Sequence, residues 1–259
     1  MIVAIFRTLV HAAQDGNFVD SMPALRAPTA GTPTQWTVQE YSFKRTIDLA
    51  LATAALLGSA PLWLLIGAAI KLEDGGPVFY SQRRWGRDKR PFTVYKFRSM
   101  VVDADAKFGA VQASKDDQRV TRIGRLLRAT SLDEMPQLLS IWLGEMSWVG
   151  PRALPLNEKQ VNETSDLPDA SVPGFDLRCR VRPGLTGIAQ VFAPRDVPRR
   201  QKFRYDGLYI RRQSAWLDLK LIALSVWISL RLRWEDRGSK VGGGRGAGFR
   251  DHGKRKRIT

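Results

Sequence analysis

The sequence predicts an α-rich α+β protein seated on one face of a membrane, and three observations predict it. Residues 47–70 read IDLALATAALLGSAPLWLLIGAAI, a stretch of lipid-spanning length with Pro61 near its middle and basic residues on both flanks. Residues 216–234, WLDLKLIALSVWISLRLRW, are again lipid-like but carry charges inside their ends. Between them lie several segments of helical period and one strand-like pair.

Residues 1–40 contain Pro23, Pro28, Gly31 and Pro33 without a sustained period, the composition of a disordered segment. Arg7 interrupts the opening apolar run, and no basic segment precedes it, which argues against a cleaved signal peptide. For residues 47–70 two facts oppose a simple crossing. Pro61 removes a helical hydrogen bond. Lys44 and Arg45 precede the stretch while Lys71, Arg83 and Arg84 follow it, so both ends prefer the cytoplasmic side. A re-entrant helix–break–helix hairpin satisfies both ends, with Gly58, Ser59 and Ala60 making the bend slim and Asp48 facing protein or water at its mouth.

The body of the chain is expected at residues 76–212. Residues 78–80 and 92–97 flank a turn at 86–88 and predict a hairpin. Helices are expected at 103–111 and 118–130. The second puts Val120, Ile123, Leu126 and Leu127 on one face and Arg119, Arg122, Arg125 and Arg128 on the other. A further helix from Asp133 to about Leu143 should bury Leu138, Leu139 and Ile141. Gly150-Pro-Arg152 is a rigid turn presenting an arginine, and residues 157–176 read as a loop or lid. Arg182-Pro-Gly-Leu-Thr-Gly187 is either an ordinary turn or one whose backbone approaches a phosphate. Residues 201–212 are helical, 216–234 suit an interfacial amphipathic helix, and 237–259 form a basic, Gly-rich tail able to meet anionic headgroups.

The chemistry centres on Arg128-Ala-Thr-Ser131-Leu-Asp133-Glu134-Met-Pro-Gln137, where two adjacent carboxylates follow a run of arginines. Among cations such a pair can stay ionised and act on a phosphate or a metal. Ser131-x-x-Glu134 also matches a helix capping box, and the two readings are compatible. A net charge of +16 implies an acidic partner: nucleic acid, an anionic leaflet or a phosphorylated substrate. The only histidines are His11 and His252 near the ends and the only cysteine is Cys179, which excludes an internal disulfide and leaves little room for histidine catalysis or a His/Cys zinc site.

Taken in order, the motifs resemble those of the bacterial sugar transferases known as monotopic phosphoglycosyl transferases. The resemblance runs from about Tyr41 to Glu235. It is carried by Lys44-Arg-x-x-Asp48, Gly76-Pro-Val-Phe79, Tyr95-Lys-Phe-Arg-Ser-Met100, Arg122-Ile-Gly-x-x-Leu-Arg128, Ser131-Leu-Asp-Glu-Met-Pro-Gln-Leu138, Met146-Ser-x-Val-Gly-Pro-Arg152, Arg182-Pro-Gly-Leu-Thr-Gly-x-x-Gln190 and Lys202-Phe-x-x-Asp206-x-x-Tyr209.

The resemblance implies a transferase domain at 41–236 with a small cytoplasmic catalytic region. It implies transfer of a sugar-1-phosphate from a UDP-sugar to polyprenyl (undecaprenyl) phosphate with release of UMP, at the bacterial inner membrane, opening a polysaccharide or glycoconjugate pathway. Asp133 would be the nucleophile of a covalent aspartyl-phosphosugar intermediate, and Glu134 its partner in holding Mg²⁺ or handling a proton. Arg128 and Arg152 suit phosphate contacts; Lys96, Arg98, Arg182, Asp206 and Tyr209 are further candidates, and Pro61 marks the membrane break.

Partners would be membrane lipids and the two substrates, with homo-oligomerisation left open. The chain departs from the family's pattern at Ala60-Pro61, at Ala153 and at Phe192-Ala-Pro-Arg195. Lacking extra N-terminal membrane helices, it reads as the minimal catalytic form. A nucleic-acid-binding protein is disfavoured by two lipid-grade stretches and no reading motif; a non-catalytic membrane scaffold is the alternative within the membrane class. The identity of the sugar is not encoded in any motif.

Overall fold

The computed structural model describes residues 38, 40–104, 117–156, 169–193, 197–232 and 234. The expectations for most of residues 1–40, for the helix beyond Ala104, for the first part of the 157–176 loop and for the basic tail lie outside them.

Helix α1, Lys44–Asp74, runs 31 residues with Pro61 inside it and ends at Gly75, whose positive φ closes the last turn. One stripe packs along its whole length. Lys44, Asp48, Ala52, Ile66 and Ile70 are buried, with Ala55, Ser59 and Trp63 half-buried between them. These positions recur at the helical period, so the opposite face carries exposed Leu57, Leu64, Leu65 and Leu72. The expected helix–break–helix is therefore drawn as one continuous helix. Pro61 costs a single hydrogen bond and lies on the exposed face, away from the packed stripe. It is the one described helix long and apolar enough to cross a membrane.

Strands β1, Phe79–Trp85, and β2, Pro91–Phe97, form the expected antiparallel hairpin, with Phe79 opposite Phe97 and Trp85 opposite Pro91. Helix α2, Arg122–Thr130, starts later than the sequence suggested because Thr121 caps it, accepting from the Gly124 N–H. It buries Gly124 and Leu127, while Leu126 is exposed. A short 3₁₀ turn, Leu132–Glu134, leads to α3, Gln137–Leu143. In α3 Gln137, Leu138, Ser140 and Ile141 are buried and Leu139 points outward, contrary to expectation.

Strand β3, Ser147–Val149, pairs in parallel with β4, Gly184–Thr186. Here the middle of the Arg182–Gly187 segment, Gly184–Thr186, is a structural strand. A Cβ at Gly184 would overlap the Gly150 amide, and one at Gly187 the Gly150 carbonyl. Its glycines serve backbone-to-backbone approach.

Helices α4 (Phe175–Arg178), α5 (Ile188–Phe192), α6 (Arg199–Arg212) and α7 (Ala215–Leu230) complete the body. One core joins Val149, Val181, Ile188, Tyr209, Leu221 and Ile228. A second sets Ala52 of α1 against Val94, Leu138 and Ile141, and a third sets Ile66 and Ile70 against Phe97 and Leu127. Both halves of α1 are thus part of the same body.

Candidate active site

Three elements converge on one cavity. Strand β2 runs out through Lys96 into Arg98; α2 carries Arg128 in its last turn and ends at Thr130; the 3₁₀ turn follows at once. The junction is made by Ser131, which takes a left-handed conformation (φ 58°, ψ 19°) and turns the chain off the helix axis. Its side chain caps nothing, so the capping box is not formed. Glu134 faces the cavity instead, accepting from Lys96 Nζ at 2.6 Å and lying 3.4 Å from Arg152 Nη2. Asp133, beside it, is 8% exposed.

The cavity has a volume of about 950 Å³, near the top of the ~300–1,000 Å³ range of small-molecule sites. Lys96, Arg98, Arg128, Asp133, Glu134 and Arg152 all line it. Asp206 lines it from α6, paired with Arg178 at 3.0 Å. Arg84, Arg178, Gln190, Arg199 and Lys202 line it as well and were not named as site residues from the sequence. Lys202 stood four residues before Asp206, a spacing that puts both on one helical face. Arg178 had no comparable signal.

Two sequence-predicted residues stand elsewhere. Arg182 reaches Glu40 at 3.2 Å and Asp48 at 4.0 Å, beside the start of α1. The Tyr209 hydroxyl lies 2.9 Å from Asp218 Oδ1 and accepts from Lys44 Nζ at 3.1 Å in a buried cluster. Both anchor α1 to the body and neither lines the cavity. Pro61 does not line it either.

The two carboxylates have been driven apart. Burial pushes Asp133 up to about 6, against the pull of Lys96, with the Glu134 charge adding to the rise. Burial acts the same way on Glu134, but Lys96 and Arg152 overcome it and hold that carboxyl well below the usual range. Near neutral pH both are ionised. Glu134 is tied down by cations, whereas burial and through-space charge act on Asp133. A desolvated carboxylate among cations has the chemistry to attack an electron-poor phosphorus.

Residues 39–231 match the profile of the bacterial sugar transferase family. The chain belongs to that family. The match takes in every helix and strand described, and with them the sugar transferase cavity apart from Trp234.

Among curated relatives, a UDP-glucose:undecaprenyl-phosphate glucose-1-phosphate transferase of Klebsiella pneumoniae is 37% identical over 231 residues, 87% of this chain and 46% of the relative. The exopolysaccharide production protein PSS of Rhizobium leguminosarum bv. phaseoli is 40% identical over 184 residues, 69% of this chain and 90% of the relative. A UDP-N-acetylgalactosamine-undecaprenyl-phosphate N-acetylgalactosaminephosphotransferase of Aeromonas hydrophila is 38% identical over 190 residues, 72% of this chain and 43% of the relative. The chain thus spans under half the length of two of these relatives and nine tenths of the third.

Proposed function

We propose that the protein transfers a sugar-1-phosphate from a UDP-sugar to polyprenyl phosphate, undecaprenyl phosphate in bacteria, releasing UMP at the start of exopolysaccharide or related glycan synthesis. The observation that carries this reading is the split pair: a desolvated Asp133 beside a cation-bound Glu134, in a cationic cavity against a lipid-grade helix. The names of the relatives, which pair a UDP-sugar with undecaprenyl phosphate, point the same way.

In the first step an Asp133 carboxylate oxygen attacks the phosphorus that bears the sugar. The bond from that phosphorus to the bridging oxygen breaks, UMP leaves, and an aspartyl phosphosugar remains. In the second a phosphate oxygen of polyprenyl phosphate attacks the same phosphorus, the acyl-phosphate bond breaks, and Asp133 returns as a carboxylate beside a polyprenyl diphosphosugar. Arg128 and Arg152 hold the equatorial phosphate oxygens, for which a planar guanidinium is suited. Lys96 keeps Glu134 ionised and adds a cation near the leaving group.

Two adjacent carboxylates fit Mg²⁺, which takes one or two such ligands and completes its shell with water and substrate phosphate. Asp133 and Glu134 would hold it, and it would neutralise diphosphate charge. Among the described residues no group of three or more His, Cys, Asp or Glu side chains converges as a protein-only cage.

The ends of α1 support a membrane placement. Lys44 is bound to Asp218 at 2.7 Å and Glu73 accepts from the Arg122 amide at 2.7 Å, so both ends are held by one body. A body cannot occupy both sides of a bilayer, which supports a helix that stays on one side of the membrane rather than crossing it. UDP-sugars are cytosolic, so the body faces the cytoplasm.

The test is UMP release from a panel of UDP-sugars, with and without polyprenyl phosphate and Mg²⁺. One sugar whose multiple-turnover UMP release requires all three components supports the reaction and names the donor. Silence across the panel, from folded protein in membrane, refutes it.

A further inference from the structure

The cavity extends beyond its charged cluster. Ala55 and Ser59 of α1 and Ile222, Ser225, Val226 and Ser229 of α7 also line it, and none is ionisable. On α7 these positions are three and four apart, so they form one helix face. Their hydroxyls are already engaged. Ser59 accepts from Trp63 Nε1 at 3.1 Å, Ser229 from Trp234 Nε1 at 2.8 Å, and Ser225 donates to the Leu221 carbonyl at 2.8 Å. What this limb presents is therefore small and apolar. Val226, 53% exposed, brings it to the surface.

A second observation concerns Arg98, which lines the same cavity at 7% exposure. Asp74 pairs with its Nη2, but Nε and Nη1 are buried without a hydrogen-bond partner among the described residues. Buried donors of that kind are costly unless an anion meets them. Gly76 is part of the arrangement, since a Cβ there would overlap the Arg98 guanidinium.

Building on the transfer reaction proposed above, we infer that the limb between α1 and α7 receives the first isoprene units of the acceptor, with Arg98 donating to its phosphate. An uncharged trough continuous with a cationic pocket matches a molecule that is hydrocarbon at one end and phosphate at the other. A nucleoside would leave its base and ribose polar groups without partners on these walls. The rest of the acceptor chain then leaves past Val226 into lipid.

The test places bulk in the limb of the full chain in lipid nanodiscs. Ser225→Trp and Ser229→Trp fill it; Ala223→Trp, on the exposed face of α7 and outside the cavity, is the control. Two rates are read for each: transfer to polyprenyl phosphate, and exchange of labelled UMP into the UDP-sugar, which needs no acceptor. The expected result is that the ratio of transfer to exchange falls at least tenfold in both filled variants, through a raised acceptor KM, and moves less than twofold in the control. An unchanged ratio in the filled variants overturns the inference. Equal loss of both rates assigns the limb to the donor and also overturns it. A wild-type chain inert in both assays refutes the reaction itself, and the inference falls with it.

Discussion

Asp133 and Glu134 are adjacent in sequence yet differ sharply in ionisation because their partners differ. Glu134 has Lys96 at 2.6 Å, whereas Asp133 has burial as its strongest influence. If Asp133 must be ionised to attack, donor-dependent UMP release should fall about tenfold per pH unit below about 6 and level off above it. Removing a neighbouring negative charge stabilises the ionised form. Glu134→Gln should therefore shift the acid limb of the profile to lower pH while reducing the plateau, and Lys96→Met should shift it upward. A pH–rate series of single-turnover UMP release reads both signs. Asp133→Asn should lower that release by ~10⁴-fold or more, the order seen when a nucleophile is deleted, with membrane binding retained.

Helix α2 positions the cluster by lying directly on the exit of β2. Gly124 makes that contact possible, because a Cβ there would overlap the Ser99 carbonyl. Its N-terminus is held by Thr121 and by Glu73, the penultimate residue of α1. The far end of the membrane helix thus sets the helix that carries Arg128. Gly124→Ala should lower stability by about 1–3 kcal/mol and reduce UMP release beyond the loss of folded protein. Chemical denaturation and activity per folded molecule, measured together, check this.

Across the molecule, Lys44 and Asp218 close the chain on itself. Both are 2–3% exposed and lie 174 residues apart in sequence. The amine also donates to the Val149 carbonyl and the Tyr209 hydroxyl. Lys44→Met leaves a buried carboxylate uncompensated and should cost about 3–5 kcal/mol; Lys44→Met with Asp218→Leu should recover most of it, as thermal unfolding in detergent would show. Because α1 is anchored at both ends, Ser42→Cys and Leu72→Cys should react with an impermeant thiol reagent from the same side of sealed vesicles. Labelling from opposite sides would show a true crossing. Buried Cys179 should remain silent in that assay.

The elements with strong local signals were legible in the residues alone: the apolar helix, the hairpin around residues 86–90, and the helices at 199–212 and 215–230. So was the gathering of Arg128, Asp133 and Glu134 at one cavity, because these residues are close in the chain. Tertiary structure decided what depends on distant partners. Ser131 was free to be a helix cap until the turn took its residue left-handed and Lys96 claimed Glu134. Arg182 and Tyr209 looked like site residues because they stand in motifs that carry the family resemblance, but their neighbours are Asp48 and Asp218, and those contacts make them anchors. Arg178 entered the cavity only through the packing of α4 beside α6. Charge and hydropathy are properties of a residue; which charge meets which is settled by the fold, since desolvation makes a buried ion's nearest partner decide its role.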